Sequence, residues 1–191
     1  IEHIIAAFKR THQSCPKRII LTGWSRGGMT AIETAHAMYY DKDNYFKDAE
    51  IVLIVVDPVP GLGNFKHANR TLPPNVTDFY GFYAKDERSF GFSPVIPEKA
   101  KGSTTKMTID SYPGRHATLV GNPGFSGGKK LALLEDFDLS AVNMLVRDRV
   151  EKIMVKHEFE HLSQDKRLNL TRKQVLALYQ HVTKNLKGYQ K

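Results

Sequence analysis

The stretch Arg18-Ile19-Ile20-Leu21-Thr22-Gly23-Trp24-Ser25-Arg26-Gly27-Gly28-Met29 decides how the rest of the chain is read. Pro16 breaks the chain just upstream, and Arg18–Thr22 is a short apolar, β-branched run of the kind that forms a buried strand. Gly23–Gly27 matches G-x-S-x-G, Gly28 adds one more small residue, and a helical run follows from Met29 to about Tyr40. A serine hydroxyl that must protrude from a sharp strand-to-helix turn needs glycine on both flanks, where side chains would clash. Strand before and helix after is the context this pattern demands. Ser25 is therefore expected to be a nucleophile.

Outward from this element, Glu50–Val56 is the strongest strand, apolar on both faces as a central parallel strand should be. It ends at Asp57-Pro58, where the chain must turn. Asp78–Ala84, rich in aromatics, reads as a third strand, and the Phe79/Tyr80/Phe82/Tyr83 cluster reads as core. Lys106–Ser111 reads as a fourth, leading into Tyr112-Pro113-Gly114. Helical patterning marks residues 2–12, Ser140–His161 and Thr171–Leu186, while Gly61–Asn75 and Gly121–Gly128 read as loops. Strand–helix–strand with parallel-type strands gives an α/β class, a mostly parallel sheet flanked by helices. Residues 1–133 carry the core and 134–191 the C-terminal helices.

A serine nucleophile needs a base within hydrogen-bond reach and an acid that orients the base. On a sheet of this type the order is serine, acid, histidine, each at the carboxyl end of a strand. His3, His12, His36, His157, His161 and His181 fall in helical segments, and His67 precedes the third strand. Only His116 follows the last strand, at the start of what reads as a flexible loop, and it is the expected general base. Asp57 and Asp86 both stand where they could orient it; Asp110 lies inside a strand and is a poor candidate.

Together, Gly23-Trp24-Ser25-Arg26-Gly27-Gly28, Asp57-Pro58-Val59, Asp86-Glu87-Arg88-Ser89-Phe90 with Pro94, and Pro113-Gly114-Arg115-His116 with Gly121 resemble a bacterial α/β-hydrolase family. That family includes type VI secretion phospholipase effectors and lipase-like effectors of intracellular pathogens. The resemblance runs from about Arg18 to Gly128 and is loose in the C-terminal helices. It implies an α/β-hydrolase fold, a Ser25–Asp57–His116 triad and a lipid or phospholipid acyl ester as substrate, met at a membrane surface. It also implies a place in the bacterial cytoplasm or export as an effector. In the resemblance Asp86-Glu87-Arg88 supports the site, with Arg88 pairing a carboxylate. The chain departs from the family after the histidine, where Ala117-Thr118-Leu119-Val120 replaces an aspartate and glycine run.

The oxyanion of an acyl-transfer intermediate needs two donors. The backbone N–H of Arg26, opening the helix, supplies one, where the helix dipole also favours negative charge. The second comes from a loop after an early strand, and Ser25 stands too near the start of the sequence for such a loop. The chain is accordingly expected to be the C-terminal part of its domain, with an upstream segment that pairs the elbow strand.

Composition excludes other classes. The 191 residues carry a net charge of +8, which favours anionic partners, yet no zinc-finger spacing or RNA-binding aromatic signature accompanies it, so nucleic acid is not expected. The charge concentrates in the C-terminal forty residues, where it reads as a solvated helix face. One cysteine, Cys15, removes any disulfide framework or Cys-rich zinc module. The longest apolar run, Ile51–Val56, is far short of a membrane span, and Ile1–Phe8 is too short and polar for a signal peptide. His157-Glu158-Phe159-Glu160-His161 fits the H-E-x-x-H zinc pattern but lacks a third ligand downstream, so no metal or cofactor is expected. Asn69, Asn75 and Asn169 open glycosylation sequons that carry no meaning without a signal peptide. The reading from a different class is a non-catalytic binding module on the same fold.

Overall fold

The structure, a computed structural model, describes residues 1–61, 70–87, 91–121, 139–159 and 167–186. Its central sheet has four strands in the order β1 (Arg18–Trp24), β2 (Glu50–Val56), β4 (Val76–Ala84) and β6 (Lys106–Tyr112). β1 pairs with β2 and β2 with β4, both in parallel, with a register shift between Ile51 and Val52. The class is α/β with a mostly parallel sheet, as expected. β3 (Thr71–Leu72) and β5 (Glu98–Lys99) form a separate two-stranded parallel ribbon. The helices are α1 (Glu2–Thr11), α2 (Arg26–Tyr39), α3 (Leu139–Lys156) and α4 (Arg172–Leu186), with a 3-10 turn at His116–Val120.

Two compact units make up the chain. The first comprises Ile1–Tyr83 and Phe90–Asp110, the second Ala84–Ser89 and Ser111–Lys191. The expected boundary at 133/134 lies outside the described residues.

In the first unit, β2 is buried from Ile51 to Val56 on both faces. One face, Ile51, Leu53 and Val55, meets Met29, Ile32, Ala35 and Met38 of α2 within a core that includes Phe46, Leu72, Val76, Phe79 and Val95. The α2 positions recur at three- and four-residue spacing, the period that keeps one helix face against a sheet. α1 docks on α2 through Ile5, while Lys9 ties it to the following loop through ion pairs to Asp41 (2.6 Å) and Asp43 (2.8 Å).

In the second unit, Asp148 and Glu151 of α3 are buried yet fully engaged. Asp148 accepts from the Leu170 amide (2.9 Å) and Lys152 (2.8 Å), and Glu151 from the Leu168 amide (2.9 Å) and Arg147 (2.7 Å). Arg172 and Lys173 at the start of α4 are exposed, as a solvated face requires.

Several boundaries differ from the sequence expectation. β1 runs on to Trp24 because its ladder with β2 continues through Trp24 opposite Val56. α2 opens at Arg26 rather than Met29, with Ser25 as its N-cap. Gly61–Asn75 is not wholly loop: Leu72 is apolar and completely buried, and it anchors β3. Residues 62–69 lie outside the described ones, as do 122–128 of the expected glycine-rich loop. α3 stops at Lys156 instead of His161, and Glu158 has a left-handed φ of 63°. His116 is not on a flexible loop; it opens the 3-10 turn and is 2% exposed. No described helix is long and apolar enough to cross a membrane.

Candidate active site

Ser25 stands between β1 and α2 with φ 57° and ψ −127°. A non-glycine residue there is strained by about 1–3 kcal/mol, and persists only where its surroundings over-determine it. They do so with backbone bonds. The Ser25 amide donates to the Val56 carbonyl at the end of β2 (3.0 Å), and its carbonyl accepts from Gly28 (3.0 Å), Met29 (3.2 Å) and Val59 (3.1 Å). The Ser25 hydroxyl does not cap its own helix, although serine at this position normally does.

The glycines around Ser25 are not equivalent. A Cβ on Gly23 would run into the Gly27 carbonyl and lie 2.7 Å from the Gly28 nitrogen. On Gly28 it would come within 3.0 Å of Pro58 Cβ and 3.3 Å of the Gly23 oxygen. On Gly27 it would meet no described atom within 4 Å. The expectation that both flanks of the serine must be glycine is therefore corrected. The turn is closed by Gly23 and Gly28, because it folds back on itself and against Pro58, while Gly27 faces open space.

Asp57 leaves β2 one residue beyond Val56, at the same end of the sheet as Ser25. Its side chain is completely buried, and its φ of 45° is again left-handed. Its amide donates to the Phe82 carbonyl of β4 (2.7 Å). Ser25 and Asp57 are thus set by one device: each leaves its strand with the amide still bonded to the neighbouring strand. The next turn is pinned as well. The Val95 amide donates to the Pro58 carbonyl (2.8 Å), and the buried Tyr83 hydroxyl donates to the Val95 carbonyl (3.0 Å). Burial, and secondarily the negative charge of Asp57, hold the Tyr83 phenol well above its ordinary range.

His116 belongs to the second unit. Asp86 and Glu87, which follow β4, hold the turn that delivers it. Asp86 Oδ2 accepts from the Gly114 amide (2.7 Å), the Asp86 amide donates to the Gly114 carbonyl (3.1 Å), and Glu87 Oε2 accepts from the His116 amide (3.1 Å). Gly114, at φ 101°, has its would-be Cβ 2.7 Å from Thr118 Cγ2, so only glycine fits beneath that threonine. Thr118 Oγ1 in turn accepts from the Arg115 amide (3.0 Å). Arg88 lies outside the described residues.

Arg26, as the first residue of α2, carries an amide with no intrahelical acceptor, at the positive end of the helix dipole. The stem of its exposed side chain rests on Gly61, with Cδ 3.3 Å from the position of a Cβ there. The described residues hold no metal-binding cluster of histidine, cysteine or acidic side chains. His157 and Glu158 stand past the end of α3, so the helical context of the H-E-x-x-H pattern is missing; Glu160 and His161 lie outside the described residues. Burial raises the Cys15 thiol, with Asp48 adding to the shift, and leaves it a poor nucleophile.

Glu87 stood in the Asp86-Glu87-Arg88 element that the resemblance places in support of the site, whereas Tyr83 and Val95 were not singled out by sequence as parts of it. Pro94 and Pro97 around Val95-Ile96 were the available signal for a stiff extended strap, since prolines flanking two apolar residues favour that conformation. The chain matches no protein-family model and no curated protein.

Proposed function

We propose that this protein is a serine hydrolase of carboxylic esters, with Ser25 as nucleophile, His116 as general base and Asp57 as the acid that orients it, on an α/β-hydrolase fold. One observation carries the reading: Ser25 is held at φ 57° in a strand-to-helix turn, its hydroxyl not used as a cap. Such strain is selected where a side chain must be presented in one direction. The choice of Asp57 over Asp86 is supported by the place of Asp86, whose carboxylate holds the Gly114 amide of the turn before His116.

Ser25 Oγ attacks the ester carbonyl while its proton passes to the His116 imidazole. The oxyanion that forms is stabilised by the Arg26 amide and the α2 dipole. Collapse expels the alcohol, which takes the proton from His116. Water then cleaves the acyl-serine by the same route and releases the acid. Lipid acyl esters are the substrate class supported by the family resemblance and by the net charge of +8, which draws the protein to anionic surfaces.

A fluorophosphonate probe tests the reading. It should label the wild-type chain on Ser25 and leave Ser25→Ala unlabelled. An unlabelled, non-hydrolysing wild type would overturn it in favour of a binding module.

A further inference from the structure

We propose that Tyr83 is a positioning residue for Asp57, closing a ring of hydrogen bonds around the strained Asp57-Pro58 turn; the proposal rests on Asp57 being the acid of the triad. The ring can be traced link by link. The Asp57 amide bonds the Phe82 carbonyl, and Phe82 is joined covalently to Tyr83. The Tyr83 hydroxyl bonds the Val95 carbonyl. The Val95 amide bonds the Pro58 carbonyl, and Pro58 is joined to Asp57. Of the three hydrogen bonds, only the one from Tyr83 is made by a side chain, so it is the link a substitution can cut without disturbing the main chain.

Tyr83 occupies a slot built for it. A Cβ on Gly81 would lie 2.5 Å from Tyr83 Cε2 and 3.0 Å from its hydroxyl oxygen, so the ring lies where a side chain at 81 would be. The same strand buries Phe79 and Phe82, and packing alone would be served by a third phenylalanine. A buried hydroxyl is tolerated only with a partner, and here the partner is the carbonyl of Val95, whose amide bonds the Pro58 carbonyl. Burial raises the Tyr83 phenol first, and the Asp57 charge adds to that shift, which places the two groups in one electrostatic neighbourhood. Asp57 is completely buried with φ 45°, and fixing the Pro58–Val95 link keeps that backbone in place, the condition under which a carboxylate can hold an imidazole in one orientation.

The test is Tyr83→Phe, alone and with Asp57→Asn, measured on a short-chain nitrophenyl ester. Tyr83→Phe should lower kcat by about 10- to 100-fold with KM within about two-fold, the pattern of a misplaced catalytic group. In the Asp57→Asn background the same change should have no further effect on turnover, because the residue acts through that carboxylate. Exchange of the Val95 amide proton should be faster in Tyr83→Phe. Parental kcat in Tyr83→Phe overturns the proposal, and so does an equal loss in both backgrounds. A wild-type chain that neither hydrolyses the ester nor takes up fluorophosphonate removes the hydrolase reading, and the proposal with it.

Discussion

Three glycine-to-alanine substitutions around Ser25 should separate cleanly, because the space beside each glycine differs. Gly27 has a non-left-handed φ and nothing described within 4 Å of a Cβ, so Gly27→Ala only restricts the unfolded chain. That stabilises by about 0.4–1 kcal/mol. At roughly 2–4 °C per kcal/mol for a chain of this size, the melting temperature should rise by about 1–4 °C. Gly28→Ala presses a methyl to 3.0 Å from Pro58 Cβ, and the rigid Pro58 ring has little room to retreat. A loss of about 1–2 kcal/mol follows, or roughly 2–8 °C. Gly23→Ala drives its methyl into backbone, the Gly27 carbonyl and the Gly28 nitrogen, which cannot move without opening the turn. It should lose about 3 kcal/mol or more, at least ~6 °C. Circular-dichroism melts of the three variants in one buffer measure the order. If Gly27→Ala melted as low as Gly28→Ala, or all three fell equally, the turn would not have the geometry described.

Other consequences can be measured on the same samples. Asp57→Asn should lower ester turnover by about four orders of magnitude while leaving the melt nearly unchanged, whereas Asp86→Ala should lose about 1–3 kcal/mol of stability through the orphaned Gly114 amide and keep more activity; the reverse ranking in kcat would move the acid to Asp86. Alkaline titration offers a separate check. The folded-state phenol of Tyr83 is raised above the unfolded value near 10, so its contribution is intact below about pH 10 and is lost above it at roughly 1.4 kcal/mol per pH unit. Urea melts at pH 9, 10 and 11 should show that fall in the wild type and a smaller one in Tyr83→Phe; equal slopes would contradict the burial assigned to the phenol.

The α/β class was readable because Ile51–Val56 is apolar at every second and every intervening position, which leaves no wet face. The turn at Ser25 was readable because a G-x-S-x-G run is a local signal, fixed within five residues. What escaped were features that depend on distant partners. Gly27 looks identical to Gly28 in sequence, yet only Gly28 meets Pro58, and the approach of that proline is set by strand pairing. Asp86 and Asp57 are both strand-end aspartates, and the Gly114 amide that engages Asp86 belongs to a turn 28 residues further on. The helix read through to His161 ends at Lys156, and Glu158, two residues on, takes a left-handed φ that helical patterning in the sequence does not register. Tyr83 read as core, and it is core; its hydroxyl function depends on Val95, which periodicity cannot locate.

The amide of Ser25 is held by a carbonyl that belongs to β2, far along the chain, and this orders events in time. Helix α2 is local and can form within about a microsecond. The parallel β1–β2 ladder needs the whole α2 crossover to be in place and is slower, because loop closure must precede its contacts. Until β2 arrives, the bonds to the Val56 carbonyl and from the Val59 amide are missing, and only the local bonds from Gly28 and Met29 oppose the strain of a left-handed Ser25. The pose of the serine is therefore completed by the sheet, after the helix it precedes has made its own two bonds to the Ser25 carbonyl. Under the proposed nucleophile role, labelling of Ser25 would then report when β1 and β2 have paired.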